Sequence, residues 1–225
     1  MVPFSFAGEE MRLVQGRALF WPRESALLVA DLHLEKASFY ATHGQMLPPY
    51  DSRETLERLA LAVRETGARR VYALGDNFHD AKGVARLDPH AAGMLAALTR
   101  ALDWVWIIGN HDGGNDEIAG GTLAEEISAG GLVLRHKAQV GESRPELSGH
   151  FHPRLTLSAR GRRIARPCAV MSEQRLILPA FGALTGGMDA ADPAILLAMQ
   201  PARSIDALVP ARDKLLQYPL WRAAA

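Results

Sequence analysis

Three apolar runs in the first half of this chain each stop on a cluster of polar donors. The run from Ser25 to Ala30 leads into Asp31-Leu32-His33, Val71-Tyr72-Ala73-Leu74 into Gly75-Asp76-Asn77, and Trp104 to Ile108 into Gly109-Asn110-His111-Asp112. Short apolar runs without alternation read as strands buried on both faces, and the polar residue marks where each strand surfaces. Helical patterns separate the runs. Leu56, Leu59, Ala60 and Val63 fall at i, i+3, i+4 and i+7, with Asp51 and Glu54 placed as a capping box and Gly67 as a stop. Asp88-Pro89 opens a second helix through Met94, Leu95 and Leu98. Strand, helix, strand, helix, strand predicts an α/β sheet with side-by-side strands, whose ligands bind beyond the carboxyl ends. All three donor clusters sit there.

Two further motifs complete the series. His136 follows the strand pattern Leu132-Val133-Leu134, and Gly149-His150-Phe151-His152 comes next. Asp31, His33, Asp76, Asn110, His136, His150 and His152 supply enough nitrogen and oxygen donors for two divalent cations side by side. Such a pair activates water and clamps a phosphoryl group for in-line attack. Imidazole mixed with carboxylate and amide oxygen, without thiolate, suits Mn²⁺, Fe or Zn²⁺. Beyond residue 131 the texture turns to hairpins, one over Leu155 to Cys168 and one over Ala169 to Leu178, predicting a second, mostly antiparallel sheet. Pro179 to Met188 reads as a loop, and a weak helical pattern lies near Lys214.

Composition narrows the class. With 225 residues, 48% of them hydrophobic, the chain can bury a sizeable core, and a single domain over 1–225 is the expectation. Lys+Arg and Asp+Glu are both 25, so no global field draws in a polyanion, and nucleic acid must be gripped by a local basic cluster. The one cysteine, Cys168, excludes an internal disulfide and fits a reducing cytoplasm. Met1 to Arg12 does not read as a signal peptide, and no apolar run is long enough for a membrane span.

The ordered motifs resemble the calcineurin-like binuclear metallophosphoesterase superfamily, whose pattern is D-x-H, GD, GNH[DE], a lone His, and GHxH. The resemblance implies a two-sheet sandwich flanked by helices. It implies that Asp31, His33 and His152 bind one metal, Asn110, His136 and His150 a second, and that Asp76 bridges both. His111 would give the proton to the leaving oxygen, with Asp112 holding its ring. Asp31 to Lys36, Leu47-Pro48-Pro49-Tyr50-Asp51, Gly75 to Asp80 and Leu178 to Gly187 are similar to the ligase-associated DNA damage response endonucleases, bacterial repair proteins. That closer resemblance implies Mn²⁺, a DNA substrate, and functional association with a DNA ligase and a helicase or exonuclease repair system. Protein phosphatases carry GD-x-x-DRG at the second motif. Here His79-Asp80 follows without the arginine, which argues against that class.

Candidate substrate contacts lie around the motifs. Lys36 is read as a phosphate contact or as half of a surface pair with Glu35. His79 is read as support for a neighbouring ligand or as plain polar surface. Arg154, Arg160, Arg162, Arg163 and Arg166 have no acid among them, and mark either a nucleic-acid groove beside His152 or a solvated hairpin. His43, His90 and the Trp104/Trp106 pair are expected to stay outside the chemistry. A small-molecule phosphodiesterase or pyrophosphohydrolase would carry the same motifs. A non-catalytic scaffold would have lost donors, and none is missing here.

Overall fold

The computed structural model describes residues 1–113, 120–159, 161–212 and 214–224. The first 21 residues, which the motif-led reading passes over, form three strands: β1 (Val2–Phe6), β2 (Glu9–Val14) and β3 (Ala18–Trp21). They pair antiparallel in turn, and β4 (Ala26–Val29) joins β3. From β4 the chain passes through α1 (Lys36–Thr42) and α2 (Asp51–Thr66) to β5 (Arg70–Leu74). It continues through α3 (Gly83–Arg86) and α4 (Pro89–Ala101) to β6 (Asp103–Ile107), and β7 (Thr122–Ala124) ends the sheet. β4, β5, β6 and β7 are parallel neighbours, as the alternating pattern predicts.

The second half supplies β8 (Glu126–Ala129), β9 (Leu132–Arg135), β10 (Glu146–Ser148), the hairpin β11 (Pro153–Ala159) and β12 (Arg162–Pro167), then β13 (Ala169–Met171) and β14 (Arg175–Ile177). β15 (Met188–Asp189), α5 (Pro193–Ala198), β16 (Ser204–Ala211) and β17 (Lys214–Arg222) follow. A seven-stranded sheet runs β17-β16-β13-β14-β10-β9-β8, antiparallel except where β10 lies parallel to β9 and β14. The hairpin expected to join it stands apart, because β11 pairs instead with β15 in a small three-stranded sheet. The helical pattern near Lys214 is also corrected, since Lys214 to Arg222 is the edge strand β17. Pro219 fits an edge, where its missing N–H breaks no ladder between two neighbours.

Alternation along the strands builds three layers of packing. Ala26 and Leu28 of β4 face the second sheet among Leu134, Leu147 and Leu176, whereas Leu27 and Val29 face α2 and α4 among Leu56, Leu59 and Leu95. Trp104 and Trp106 belong to that outer layer, so they are packing groups. α5 covers the far side of the second sheet with Ile195 against Val170 and Ile177. The capping box does not form. Asp51 begins α2 without a side-chain cap, and its Oδ2 instead accepts from the Ala37 N–H at 3.0 Å, capping the neighbouring helix α1. Gly67 ends α2 in the left-handed conformation, and Asp88 caps α4 by accepting from the His90 and Ala91 N–H groups, both as the sequence predicts.

One buried ion pair fastens the segment that follows His136. Arg175 Nε donates to Glu146 Oε1 at 2.8 Å, with the two residues 1% and 0% exposed. Arg175 Nη2 also donates to the Gln139 carbonyl at 2.9 Å, and Glu146 Oε1 accepts from the Gln139 N–H at 3.1 Å. Removing one partner of a buried pair leaves an uncompensated charge. Arg175→Met is therefore expected to destabilise the protein by roughly 3–5 kcal/mol in urea denaturation. Adding Glu146→Leu should recover part of that loss but not all, because the Gln139 N–H then loses its carboxylate acceptor. A double variant no more stable than Arg175→Met would show that the charge is not what the pair compensates.

Candidate metal centre

The loops beyond β4 and β5 are laced together before any side chain is considered. The Asp31 N–H donates to the Gly75 carbonyl at 3.1 Å, the His33 N–H to the Asp76 carbonyl at 2.9 Å, and the Leu34 N–H to the Asn77 carbonyl at 3.0 Å. Along this lacing Asp31, His33 and Asp76 adopt left-handed backbone with φ of 54°, 44° and 49°, and His150 and His152 do so at 73° and 49°. Each such residue costs on the order of 1–3 kcal/mol, and strain of this kind concentrates at functional sites.

Among the described residues the side chains converge in three overlapping groups; one joins His33, His79 and His111, and the other two share Asp76. Ligand atoms of Asp31, His33, Asp76 and His152 lie within 4.8 Å of one another, and those of Asp76, His136 and His150 do likewise. Asp76 belongs to both. Asn110 adds its Oδ1, 3.0 Å from His136 Nε2. All seven motif donors are thus brought together, from both large sheets.

Protonation fits a cation. His136 Nδ1 donates to the Leu74 carbonyl at 3.0 Å, so its Nε2 carries a lone pair toward Asn110 Oδ1 and toward Asp76 Oδ1 at 3.4 Å. The Nε2 atoms of His33 and His152 meet at 3.3 Å. Burial, and then the charge of His152, pushes the His33 ring down to about 2; burial and then His136 push His150 down to about 4. Burial thus favours the neutral, lone-pair-bearing form of His33 and His150, the form in which imidazole ligates a divalent cation. Burial raises the Asp31 carboxyl, the direction expected for a buried acid awaiting a positive partner.

Glycine precedes three of the donors, Asp76, Asn110 and His150, for a steric reason, and a Cβ on Gly149 would fall on Ala30 Cβ and the Asp31 carboxylate. A Cβ on Gly75, whose φ is 79°, would fall on the His136 ring, and one on Gly109 would fall on the Asp76 backbone nitrogen. The second and third motifs therefore need their glycines to let neighbouring loops touch.

His111 stands at the mouth of the centre, its side chain 40% exposed, with Nε2 4.0 Å from Asp76 Oδ2. Its Nδ1 donates to the His79 carbonyl at 2.9 Å, and the two rings stack with centroids 5.2 Å apart. His79 thus packs against His111, and its Nδ1 lies 3.4 Å from His33 Nδ1. The role expected of Asp112 is corrected. Its carboxylate does not hold the His111 ring; it accepts from the N–H groups of Asn77, Phe78 and Gly109 at 2.9, 3.1 and 2.8 Å, and from Asn77 Nδ2 at 2.9 Å. Asp112 with Asn77 is the clasp between the second and third motif loops, a role for Asn77 that the motif pattern alone did not reveal.

The candidate substrate contacts divide. Glu35 is buried and accepts from Ser52 Oγ at 2.7 Å, so it is no surface partner for Lys36. Lys36 is half-buried, and its charge helps depress the His33 and His79 rings after burial itself. The arginine stretch is not one patch. Residues opposite each other across β11 and β12 share a face, so Arg154 and Arg163 lie on one side of the hairpin and Arg162 and Arg166 on the other. Arg160 lies outside the described residues. His43 and His90 are exposed, and Cys168 is buried with its thiol pushed up to about 12 by burial. Arg17 and Arg58, scattered residues without a motif to mark them, hold the Pro179–Met188 loop. Arg17 Nη1 donates to the Ala180 and Gly182 carbonyls at 3.0 and 3.1 Å, and Arg58 Nη1 to the Phe181 carbonyl at 3.0 Å. That loop in turn braces Asp31, whose carbonyl accepts from the Gly182 N–H at 3.2 Å.

Two substitutions test this construction. Gly75→Ala should push the His136 ring off its carbonyl and lower metal affinity by about 10–100-fold, read by titration calorimetry. Unchanged affinity would mean the close approach is not needed. Asp112→Asn turns two N–H donors toward a nest of N–H groups and should destabilise the fold by about 1–3 kcal/mol. A changed pH–rate profile with unchanged stability would instead return Asp112 to the chemistry.

No family model and no curated protein sequence matches the chain. Solved structures do. The nuclease MPE of Pseudomonas putida is similar over 96% of this chain and 98% of its own, with 29% identity and a TM-score of 0.72. YfcE, a phosphoesterase from E. coli, matches at 13% identity over 87% of this chain and 98% of its own, with a TM-score of 0.43. AQ665 of Aquifex aeolicus, a protein of unknown function, matches at 16% over 56% and 77%, with a TM-score of 0.39. The last two are too distant to add to the first. With the fold of the first neighbour along nearly its whole length, and the seven donors gathered in two groups about Asp76, the chain is similar to the metallophosphoesterases, which hydrolyse phosphoester bonds.

Proposed function

We propose that the chain is a metal-dependent DNA endonuclease of the ligase-associated DNA damage response branch, working with two divalent cations, Mn²⁺ foremost. The observation that carries this reading is the likeness to a nuclease along 96% of the chain, at 29% identity. Donor groups joined at Asp76 support the count of two. Asp31, His33, Asp76 and His152 would hold one cation, and Asp76, Asn110, His136 and His150 the other. Bound there, the cations supply Lewis acidity toward the phosphoryl oxygens and a lowered pKa for water.

The chain's own groups do the rest. His111 has its Nδ1–H committed to the His79 carbonyl, so Nε2 is where the proton for the leaving oxygen is held and released. Stacking against His79 keeps that nitrogen aimed at the centre. Lys36, half-buried at the start of α1, offers its ammonium to a phosphate oxygen. A role in bacterial DNA repair beside a ligase and a helicase or exonuclease goes with this reading.

The test compares chelated and Mn²⁺-loaded protein on supercoiled plasmid, single-stranded DNA and bis(p-nitrophenyl) phosphate. Chelation should abolish cleavage and Mn²⁺ restore it, and Asp76→Ala should lose both metal and turnover. His111→Ala should keep its metal and lose about 10²–10⁴ in rate on DNA, less on the p-nitrophenyl ester, whose leaving group barely needs a proton. Loss of metal from His111→Ala would make that residue a ligand. Turnover of the small diester without cleavage of any DNA would favour a small-molecule phosphodiesterase.

A further inference from the structure

Away from the metal centre a cleft of about 770 Å³ opens between the meander, the base of the β11–β12 hairpin and the β16–β17 turn. Arg17, Arg166, Arg212, Gln15, Glu65 and Pro167 line it. Arg166 and Arg212 are exposed. The acid in this lining, Glu65, accepts from Gln15 Nε2 at 3.1 Å. A small notch bounded by His152, Arg154, Arg17 and Pro167 lies next to the cleft and shares Arg17 and Pro167 with it. The two hollows thus adjoin at Arg17 and Pro167, and His152, a donor of the metal centre, borders the notch.

The charge along this path is one-sided. Arg70 and Arg222 are matched with Asp103 and Asp206. Among the described residues, Arg154, Arg17, Arg166 and Arg212 hold no carboxylate. Arg17 uses one nitrogen on the Ala180 and Gly182 carbonyls and Arg154 one on the Ala165 carbonyl at 3.4 Å, which leaves each guanidinium further donors. Arg17 and Arg154 are close enough for each to feel the other's charge. A surplus of arginines over the acid Glu65 in this lining is matched by a ligand with evenly spaced negative charges, and a phosphodiester chain has one per nucleotide.

Resting on the nuclease reading, we infer that one nucleic-acid strand runs from the metal centre into this groove, its phosphates meeting Arg17, Arg166 and Arg212. The hairpin contributes through its base, where Arg166 stands, and its outer Arg162 and Arg163 are exposed. The groove extends the site in one direction only, so affinity should grow with strand length on one side of the cleaved bond.

Binding to metal-free protein in chelator tests this without turnover, by fluorescence anisotropy on a tetranucleotide and on a strand of about 24 nucleotides. Arg166→Ala with Arg212→Ala alters exposed side chains, and a melting curve checks that the fold is kept. The double variant should bind the long strand about tenfold or more weakly, with a salt slope flatter by about 1.4, two contacts at about 0.7 each. The tetranucleotide should bind as it does to the wild type. Unchanged long-strand affinity and slope would overturn the groove and leave the nuclease reading standing. Equal weakening of both oligonucleotides would also overturn it, since the arginines would then act as a diffuse field. Mn²⁺-loaded wild-type protein that cleaves neither strand while hydrolysing bis(p-nitrophenyl) phosphate would end the nuclease reading, and the groove with it.

Discussion

Seven side chains that present lone pairs to one another are held within a few ångströms in a largely buried space, and most of the molecule exists to keep them there. Left to themselves, Asp31, Asp76 and five amide or imidazole donors would turn to water. They are prevented by backbone rather than by side-chain attraction. The carbonyls of Gly75, Asp76 and Asn77 accept from the chain beyond β4, and the Asp31 carboxylate accepts from the His150 N–H at 3.0 Å. The left-handed residues lie where these bonds oblige the chain to turn.

Support comes inward from unremarkable residues. Asp112 and Asn77 join two of the loops, Arg17 and Arg58 fix a third against Asp31, and Arg175 with Glu146 secures the chain after His136. Most of their polar atoms are satisfied, which offsets the cost of burying them, though Asn77 Oδ1 is buried without a hydrogen-bond partner. The donors are therefore placed by a scaffold that is itself mostly polar at this end of the sheets and apolar everywhere else.

Much of this was legible in the chain. Parallel β4, β5 and β6 announced themselves as apolar runs ending on donors, and the order of the motifs carried the ligand set. What escaped had a physical reason. β1 to β3 are short meander strands with no motif at their ends, and β17 has half-exposed residues whose pattern mimics a helix. Asp51 and Glu54 have the spacing of a capping box, yet a neighbouring helix competes for the Asp51 carboxylate. Asp112 adjoins His111 in sequence but points the other way, because adjacent residues in a tight turn face different partners. The arginines from 154 to 166 look like one cluster in sequence, and the two-residue alternation of a hairpin splits them.

The donors come from both large sheets, and this has a mechanical consequence. Asp31, His33, Asp76 and Asn110 extend from the first sheet, and His136, His150 and His152 follow strands of the second. Each of the two groups that share Asp76 includes members from both sides. A cation held there would cross-link the two halves of the sandwich, in addition to the apolar core between them. Binding that requires both sheets in place would stabilise the closed sandwich by mass action, so unfolding should become harder as the cation concentration rises.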